Sequence, residues 1–364
     1  MQVTLVGLPG SGKTTVFNAL SGGHAETGSF SGGRAAPNVG VVKVPDARLD
    51  ALSALFSPRK TTPADVTYVD VAIPAGATRE GTVSPDLLAL IRNADALLHV
   101  ARAFDDASST LPADPWRDVD ELDLEFVVAD LTVVQKRLEK LGTSGRHGSP
   151  GEREQNALEE ELLGRIEPHL AEGHALRDLE LSDDDERLLR GYRFLSQKPV
   201  LVVLNIDERR LPEAATLETH GTARYAHRQT DVAALAGKIE AELGELTADD
   251  ARIFMDDLGI AEPSRGRVIR LTYDLLGLLS FFTAGEDECR AWTIHRGDTA
   301  VDAAAAIHSD LARGFIRAEV VSHTDLLESG SMAEARKRGQ LRAEGKAYAV
   351  RDGDVIQVLF NVAR

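Results

Sequence analysis

Along the N-terminal part of the chain, short apolar runs alternate with segments in which apolar residues recur at helical spacing. The runs predict strands at 3–6, 66–72 and 96–100, and the periodic segments predict helices at 14–20 and 87–93. This alternation is typical of a parallel sheet covered on both faces. Residues 22–40 are rich in Gly, Ser and Ala with little periodicity, so we expect a loop there.

The pattern changes to longer helical periods after residue 118. Apolar residues follow such a period at Val119, Leu122, Phe126, Val134, Leu138 and Leu141, and again at Leu158, Leu162, Ile166 and Leu170. The glycine-rich stretch 142–151 separates the two segments, which together predict an αα-hairpin. The apolar run at 199–204 predicts a further buried strand. The hairpin is therefore expected as an insertion within the sheet domain.

A third pattern begins near residue 278. It predicts strands at 290–294, 318–321 and 355–360 and a helix at 300–312, enough for a small α+β domain. We therefore predict three parts: a parallel-sheet domain at 1–118 and 198–277, a helical insertion at 119–197, and a small domain at 278–364.

Composition narrows the class of protein. The chain has 364 residues, a hydrophobic content of 43% and a single cysteine, which excludes an intramolecular disulfide framework. No apolar run is long enough to cross a bilayer, and no secretory signal is apparent, so we expect a cytoplasmic protein without a membrane partner. The net charge of −17 argues against broad adhesion to nucleic acid, although basic patches occur at 136–153 and 336–346.

The segment from Gly7 to Thr14 reads GLPGSGKT and satisfies the P-loop pattern G-x-x-x-x-G-K-[ST]. Glycines let backbone amides curl around phosphates, the lysine places a positive charge beside the β- and γ-phosphates, and the threonine offers a hydroxyl to Mg²⁺. A predicted strand precedes the motif and a predicted helix follows it. The phosphate-binding residues are expected to be Gly7, Pro9, Gly10, Ser11, Gly12, Lys13, Thr14 and Thr15.

Two further motifs lie at the ends of predicted strands. Asp70 can hold Mg²⁺ together with Thr14, with a turn-forming or capping role as the alternative. The run Asn205-Ile206-Asp207-Glu208 stands where GTPases carry Asn-Lys-x-Asp, and we expect Asn205, Ile206 and Glu208 to contact the base. Glu208 displaces the carboxylate that would pair with guanine by one methylene, so ATP is favoured over GTP. An ordinary turn after the strand is the alternative.

Beyond these motifs, several runs are similar to those of the YchF/Obg-like ATPase family. They are PNVGVV at 37–42, PDARL at 45–49, YVD at 68–70, FTAG at 282–285, RAWT at 290–293, GFIRAE at 314–319 and DGDV at 352–355. The resemblance covers essentially the whole chain. It implies an α/β fold in which a P-loop GTPase-like domain carries an inserted helical hairpin and precedes a small β-grasp, TGS-like domain. It also implies slow ATP hydrolysis with Mg²⁺ and association with the ribosome or another RNA-rich partner.

The chain departs from that family at positions tied to hydrolysis. The family follows its aspartate with Ile-Ala-Gly-Leu, whereas Asp70 is followed by Val-Ala-Ile-Pro, and Pro74 has no amide to offer the γ-phosphate. The position of the family's switch I threonine corresponds to the region of Arg34, so that threonine is missing here. The loop after Phe104 lacks the family's histidine, and Gly10 stands where the family usually has an asparagine. These departures are compatible with nucleotide binding but argue against efficient hydrolysis and against a nucleotide-driven switch.

Three functions remain open from the sequence. The first is an ATP-binding, slowly hydrolysing regulator that docks on ribosomes. The second is an ATP-binding scaffold without turnover, and the third is a small-molecule kinase, since GLPGSGKTT also suits such enzymes. The sequence does not indicate an oligomeric state.

Overall fold

The computed structural model of the chain describes residues 1–23, 37–71, 85–106, 112–144, 149–260 and 262–361. The strands in these ranges are β1 (Gln2–Val6), β2 (Asn38–Lys43), β3 (Lys60–Thr62), β4 (Asp65–Asp70), β5 (Ala96–Ala103), β6 (Val200–Ile206), β7 (Thr230–Leu235), β8 (Leu278–Thr283), β9 (Glu288–His295), β10 (Phe315–Ser322), β11 (Arg342–Glu344) and β12 (Asp354–Phe360). The helices are α1 (Lys13–Ser21), α2 (Ala47–Phe56), α3 (Pro85–Ile91), α4 (Pro115–Ser144), α5 (Pro150–Ala171), α6 (Asp183–Leu189), α7 (Ala214–Arg224), α8 (Gly237–Glu245), α9 (Ala248–Leu258), α10 (Ser264–Leu275), α11 (Ala300–Ile307), α12 (Ser309–Arg313), α13 (His323–Ser329) and α14 (Met332–Lys337). Short 3₁₀ helices lie at Leu176–Asp178 and Glu208–Glu213.

The first sheet has the strand order β2-β4-β1-β5-β6-β7. Strand β1 pairs in parallel with β4 and β5, β5 with β6, and β6 with β7. Every residue of β5 and β6 is buried, as expected of central strands covered on both faces. The predicted parallel sheet is therefore confirmed. The parallel strands all end at one edge of the sheet, the carboxyl edge, and begin at the opposite, amino edge. The loops that follow β1, β4, β5, β6 and β7 therefore lie at the carboxyl edge.

Helices α4 and α5 form the predicted hairpin around an apolar core of their own. That core includes Val134, Leu163 and Ile166, all fully buried. Helix α5 begins with a capping box between Ser149 and Glu152. The first helix begins at Pro115, earlier than the predicted 119, and proline is a favoured first helical residue.

The carboxylate of Asp130 on α4 fastens the chain where it returns to the sheet. It is fully buried and accepts hydrogen bonds from the amides of Leu195 and Ser196 at 3.1 and 2.7 Å. Arg92 lies 3.2 Å from the same carboxylate. A buried charge of this kind persists because it is paired and hydrogen-bonded.

The described chain divides into two compact units, residues 1–40 with 67–268 and residues 41–66 with 269–364. The second unit contains a mixed sheet in the order β11-β10-β12-β8-β9-β3. Its core lies between this sheet and α11, with Phe281, Ala303, Ala318 and Val320 fully buried. Strand β12 pairs in parallel with β8 and antiparallel with β10.

The sequence did not indicate that residues 41–66 belong with the C-terminal part. Strand β3 pairs in parallel with β9, and the Thr62 hydroxyl donates to Glu288 at 2.6 Å. Arg48, at the start of α2, donates to Asp46 at 2.7 Å and to Asp352 at 2.6 Å. The Thr62–Glu288 and Arg48–Asp352 contacts join residues 226 and 304 positions apart, a separation that local sequence patterns do not report.

Two further predicted boundaries differ from the structure. The single helix predicted at 300–312 is α11 and α12, because His308 is extended with φ −166° and ψ 141° and interrupts the helical ladder. The predicted loop 22–40 ends at residue 37, since β2 begins at Asn38; residues 24–36 lie outside the described chain.

The α/β fold class predicted from the sequence is confirmed: a parallel-sheet P-loop domain, a helical region and a C-terminal domain are all present. The three-part division at residues 119, 198 and 278 stays a prediction. Among the helices that the structure describes, none is long and apolar enough to cross a membrane.

We predict that Arg48→Ala lowers the free energy of unfolding of the second unit by about 2 kcal/mol, because two carboxylates lose charge-assisted hydrogen bonds. Hydrogen bonding to Asp46, and then to Asp352, raises the pKa of Arg48, so the guanidinium is charged throughout the accessible pH range. Chemical denaturation of the full chain, followed by Trp292 fluorescence in a Trp116→Phe background, measures the change.

Arg59→Ala is the matched control, since Arg59 pairs with Asp287 where both side chains are more than four-fifths exposed. It should change stability by less than about 0.5 kcal/mol. Equal effects of the two substitutions would show that the Arg48 contacts do not stabilise the unit.

Candidate nucleotide-binding site

The loop between β1 and α1 follows a backbone path that its glycines make possible. Gly7 and Gly12 have φ of +147° and +86°, values that other residues rarely adopt. A Cβ on Gly7 would lie 2.3 Å from the carbonyl oxygen of Val100, and one on Gly12 would lie 2.2 Å from Nδ2 of Asn205. The loop is therefore packed directly against β5 and β6, and α1 points its amino end into it.

Lys13 is the first residue of α1 and only 9% exposed. Its Nζ donates to the carbonyl oxygens of Gly7 and Leu8 at 2.9 and 3.0 Å. Burial lowers the pKa of Lys13 to about 8, and the nearby charge of Asp70 partly offsets this. A desolvated ammonium with only carbonyl partners is well placed to attract an anion into the loop.

Asp70 lies at the end of β4, beside the first turn of α1. The Thr14 hydroxyl donates to its Oδ2 at 2.9 Å, and Nδ2 of Asn38 donates to the same oxygen at 3.3 Å. Oδ1 of Asp70 is buried and has no hydrogen-bond partner among the described residues. A buried carboxylate oxygen without a partner beside a threonine hydroxyl is a hard-oxygen pair that fits Mg²⁺.

The protein ligands at this position are too few to hold a metal by themselves. Within the described ranges, no group of three or more His, Cys, Asp or Glu side chains could hold a metal ion. Mg²⁺ commonly keeps one or two protein ligands and completes its shell with water and substrate phosphates. Thr14 and Asp70 therefore suit a Mg²⁺ ion that binds together with a nucleotide.

The side-chain amide of Asn205 joins two loops at this edge of the sheet. Its Nδ2 donates to the carbonyl oxygen of Ser11 at 3.0 Å, and its Oδ1 accepts from the amide of Gly237 at 3.1 Å. Asn205 is 4% exposed, so both bonds are shielded from water. The structure thus gives Asn205 a role that the motif alone did not suggest, which is to hold the P-loop against the start of α8.

The structure brings most of the predicted phosphate-binding residues together in the loop and the first turn of α1. Pro9 and Gly10 form its exposed tip, Ser11 is buried, and Thr15 lies on α1. The Ser11 hydroxyl is a second buried polar atom without a partner among the described residues. Unsatisfied polar atoms at a glycine-rich loop are typical of a ligand site.

Ile206 and Glu208, the other two residues predicted to contact the base, differ in their exposure to solvent. The Ile206 side chain is 3% exposed and packs in the apolar core, so it points away from the site. Glu208 is exposed at the first residue of a 3₁₀ helix that follows β6. The base contacts of these two residues stay predictions.

Sequence reasoning missed three residues of the site. Asn38 lies in a motif that carried the family resemblance, yet its bond to Asp70 depends on the pairing of distant strands. Gly237 follows β7, a strand that the sequence did not predict. Phe104 comes directly after β5, and its Cε1 would lie 3.7 Å from a Cβ on Gly12, a contact that no local pattern signals.

Several departures noted in the sequence lie outside the described residues. They are Arg34, the segment 72–74 that includes Pro74, and residues 107–111 of the loop after Phe104.

A glycine-rich loop between a buried strand and a helix, with a buried lysine, a threonine and a facing carboxylate, defines a P-loop nucleotide-binding protein. Comparison with known families agrees: residues 2–137 match a family described as 50S ribosome-binding GTPase. Residues 278–361 match the C-terminal family of YchF GTPases, described as a protein of unknown function (DUF933).

The chain belongs to the YchF family. It is similar to the ribosome-binding ATPase YchF of Bacillus subtilis (strain 168), with 38% identity over 365 residues and 98% of each chain covered. Similarity to the protein of the same name from Escherichia coli O157:H7 is 35% over 366 residues, again with 98% of each covered. The solved structure of the Schizosaccharomyces pombe YchF GTPase matches with a TM-score of 0.85 at 26% identity, over 99% of this chain and 97% of that one.

We predict that Lys13→Ala weakens nucleotide binding by about a hundredfold or more, because it removes the buried positive charge at the phosphates. Equilibrium titration with ATP and Mg²⁺ measures the loss. Lys238→Ala is the matched control, since Lys238 is an exposed lysine on α8 whose side chain is 86% accessible. Unchanged ATP affinity in Lys13→Ala would place the nucleotide elsewhere.

We also predict that ATP affinity falls as pH rises through the pKa of Lys13. Below about pH 7 the amine is protonated and attracts phosphate, whereas above its pKa of about 8 the free protein holds a neutral amine. Affinity should therefore decline by up to about tenfold per pH unit above that value. Titrations between about pH 7 and 9.5 test this. A decline of the same size in Lys13→Ala would assign it to another group.

Proposed function

We propose that this protein binds ATP with Mg²⁺ at the P-loop, hydrolyses it slowly, and acts while docked on the ribosome in the cytoplasm. The observation that carries the proposal is the arrangement of the buried Lys13 and Asp70 around the half-buried Thr14, at the edge of the sheet where its parallel strands end. Relatives that match along 98% of their length are named ribosome-binding ATPase YchF, which supports the docking half.

The residues of the chain divide the work of binding. The ammonium of Lys13 attracts the β- and γ-phosphates, and the amides of the loop surround them. Thr14 and Asp70 supply oxygens to Mg²⁺, which neutralises phosphate charge when bound. Asn38 holds the carboxylate of Asp70 from the side of β2. The nucleotide thus connects α1, β4 and β2.

The proposed preference for ATP depends on Glu208 and on the engagement of Asn205. Both polar atoms of the Asn205 amide bind backbone of the protein, so its spare hydrogen-bonding capacity for a base is small. Glu208 is a longer carboxylate than the aspartate that reads guanine in GTPases. A base whose polar groups do not match those of the site is rejected strongly. The mismatch between guanine and Glu208 therefore disfavours GTP.

Slow turnover is proposed because the sequence lacks the groups that accelerate hydrolysis. The loop after Phe104 contains no histidine. The family's Ile-Ala-Gly-Leu after the aspartate is replaced by Val-Ala-Ile-Pro, and Pro74 has no amide to offer the γ-phosphate. P-loop proteins without such assistance hydrolyse at rates on the order of 10⁻³ s⁻¹ or slower. The same observations favour a second candidate, an ATP-binding scaffold without turnover.

The test measures binding, phosphate release and sedimentation on one preparation. We expect ATP to bind more tightly than GTP, phosphate release to be slow and abolished in Lys13→Ala, and the protein to sediment with purified ribosomes. ATP binding without any phosphate release would favour the scaffold. Tighter binding of GTP would refute the role given to Glu208, and no sedimentation with ribosomes under any nucleotide condition would refute docking.

A further inference from the structure

A basic pocket lies within the first unit, apart from the P-loop. Its cavity has a volume of about 490 Å³, in the range of small-molecule sites. Turns before β5, β6 and β7 contribute Asp95, Lys198 and Gln229, and the segment from the 3₁₀ helix at Leu176–Asp178 to the end of α6 contributes the remaining wall. We call this cavity the basic pocket.

The basic pocket is at the opposite edge of the sheet from the P-loop. The residues just before β5, β6 and β7 line it, whereas Phe104, Asn205 and Gly237 mark the other ends of those strands. Strands of this length separate the two edges by about 20 Å. A ligand in the basic pocket would therefore not touch the nucleotide.

The charge of the pocket is opposite to that of the whole chain. Six cationic residues line it and only two carboxylates do, in a protein whose net charge is −17. The cations are Arg92, Arg177, Arg190, Arg193, Lys198 and Arg228. Arg92 and Arg177 lie beside carboxylates, at 3.2 Å from Asp130 and 3.5 Å from Asp123.

Within the part of the chain that the structure describes, the other four cations have no carboxylate within ion-pair distance. Arg193 donates to the amide oxygen of Asn93, and Lys198 donates to the carbonyl oxygen of Ala94. Arg190 and Arg228 are exposed, and their side chains make no ion pair or hydrogen bond with any described residue. Four cations directed at one concavity repel each other, and an anion relieves that repulsion.

Lys198 is a partly desolvated cation of the pocket. Burial lowers its pKa to about 8; Asp95 and Asp130 act in the opposite direction, whereas Arg193 and Arg92 lower it further. A bound anion would raise this pKa, because it favours the protonated amine.

Backbone strain coincides with the same place. Among the described residues, three non-glycine residues have positive φ, and two of them, Arg193 at +51° and Gln229 at +53°, line the basic pocket. Such conformations cost free energy and cluster at ligand sites, where they orient particular groups. Here they fix the turns that present Arg193 and Arg228.

Part of the lining is apolar and comes from the half-buried Leu179, Leu181 and Pro199. Cations around a concave, partly apolar cavity suit a compact ligand with phosphate groups and a non-polar part. An extended polynucleotide instead needs a basic groove that follows its backbone. We propose that the basic pocket binds a small phosphorylated molecule, independently of the nucleotide at the P-loop.

Inorganic pyrophosphate is the probe for this proposal, and calorimetric titration of the full chain is the measurement. Lys13→Ala serves as the background, so that the P-loop does not contribute. In that background we expect pyrophosphate to bind, and Arg190→Gln with Arg228→Gln to weaken it by at least about tenfold. The matched control, Arg153→Gln with Arg317→Gln, removes two exposed arginines outside the pocket and should leave the affinity unchanged.

Three outcomes would overturn the proposal. They are no pyrophosphate binding in the Lys13→Ala background, equal weakening by the pocket pair and the control pair, and binding of a single-stranded RNA oligonucleotide at the pocket where pyrophosphate does not bind. The pocket pair in an otherwise native chain should bind ATP normally. Failure of this proposal is thus distinguishable from failure of the P-loop function.

Discussion

The nucleotide-binding edge depends on the buried amide of Asn205. One side chain at the end of β6 holds the carbonyl oxygen of Ser11 and the amide of Gly237, so the P-loop and the start of α8 have a shared anchor. Gly12 approaches this amide too closely for any side chain. The loop is therefore shaped before a nucleotide arrives, and preorganised amides bind phosphate without a further ordering cost. Lys13 and Asp70 take their positions from the same framework.

Two groups of charged residues lie at opposite edges of the first sheet. At the carboxyl edge a buried lysine faces a buried aspartate, and at the amino edge a group of cations surrounds a cavity. Both places hold groups whose desolvation has a cost in the free protein, and both gain from an anion. The net charge of −17 disfavours broad adhesion to polyanions, so phosphate binding requires local groups of cations such as these two.

Segment 41–66 belongs to a different compact unit from the residues on either side of it. Asn38 and Asp70, which flank the segment, contact each other in the first unit, while β3 and Arg48 are fastened to β9 and Asp352 in the second. The PDARL and DGDV runs that carried the family resemblance therefore have a structural explanation in one ion-paired cluster. The two ends of this segment lie within four residues of Asn38 and of Asp70, the proposed magnesium ligand that Asn38 contacts.

Local signals in the sequence determined the parallel sheet, the helical hairpin, the P-loop and the carboxylate at the end of β4, because periodicity and glycine spacing report the conformation of neighbouring residues. Only the tertiary structure decided which distant groups meet. It placed Asn38 on Asp70, turned Ile206 into the core, joined Arg48 to Asp352 and assembled the basic pocket from three separate turns. Those contacts follow from strand order and register, which depend on the packing of the whole sheet and leave no mark in a short stretch of sequence.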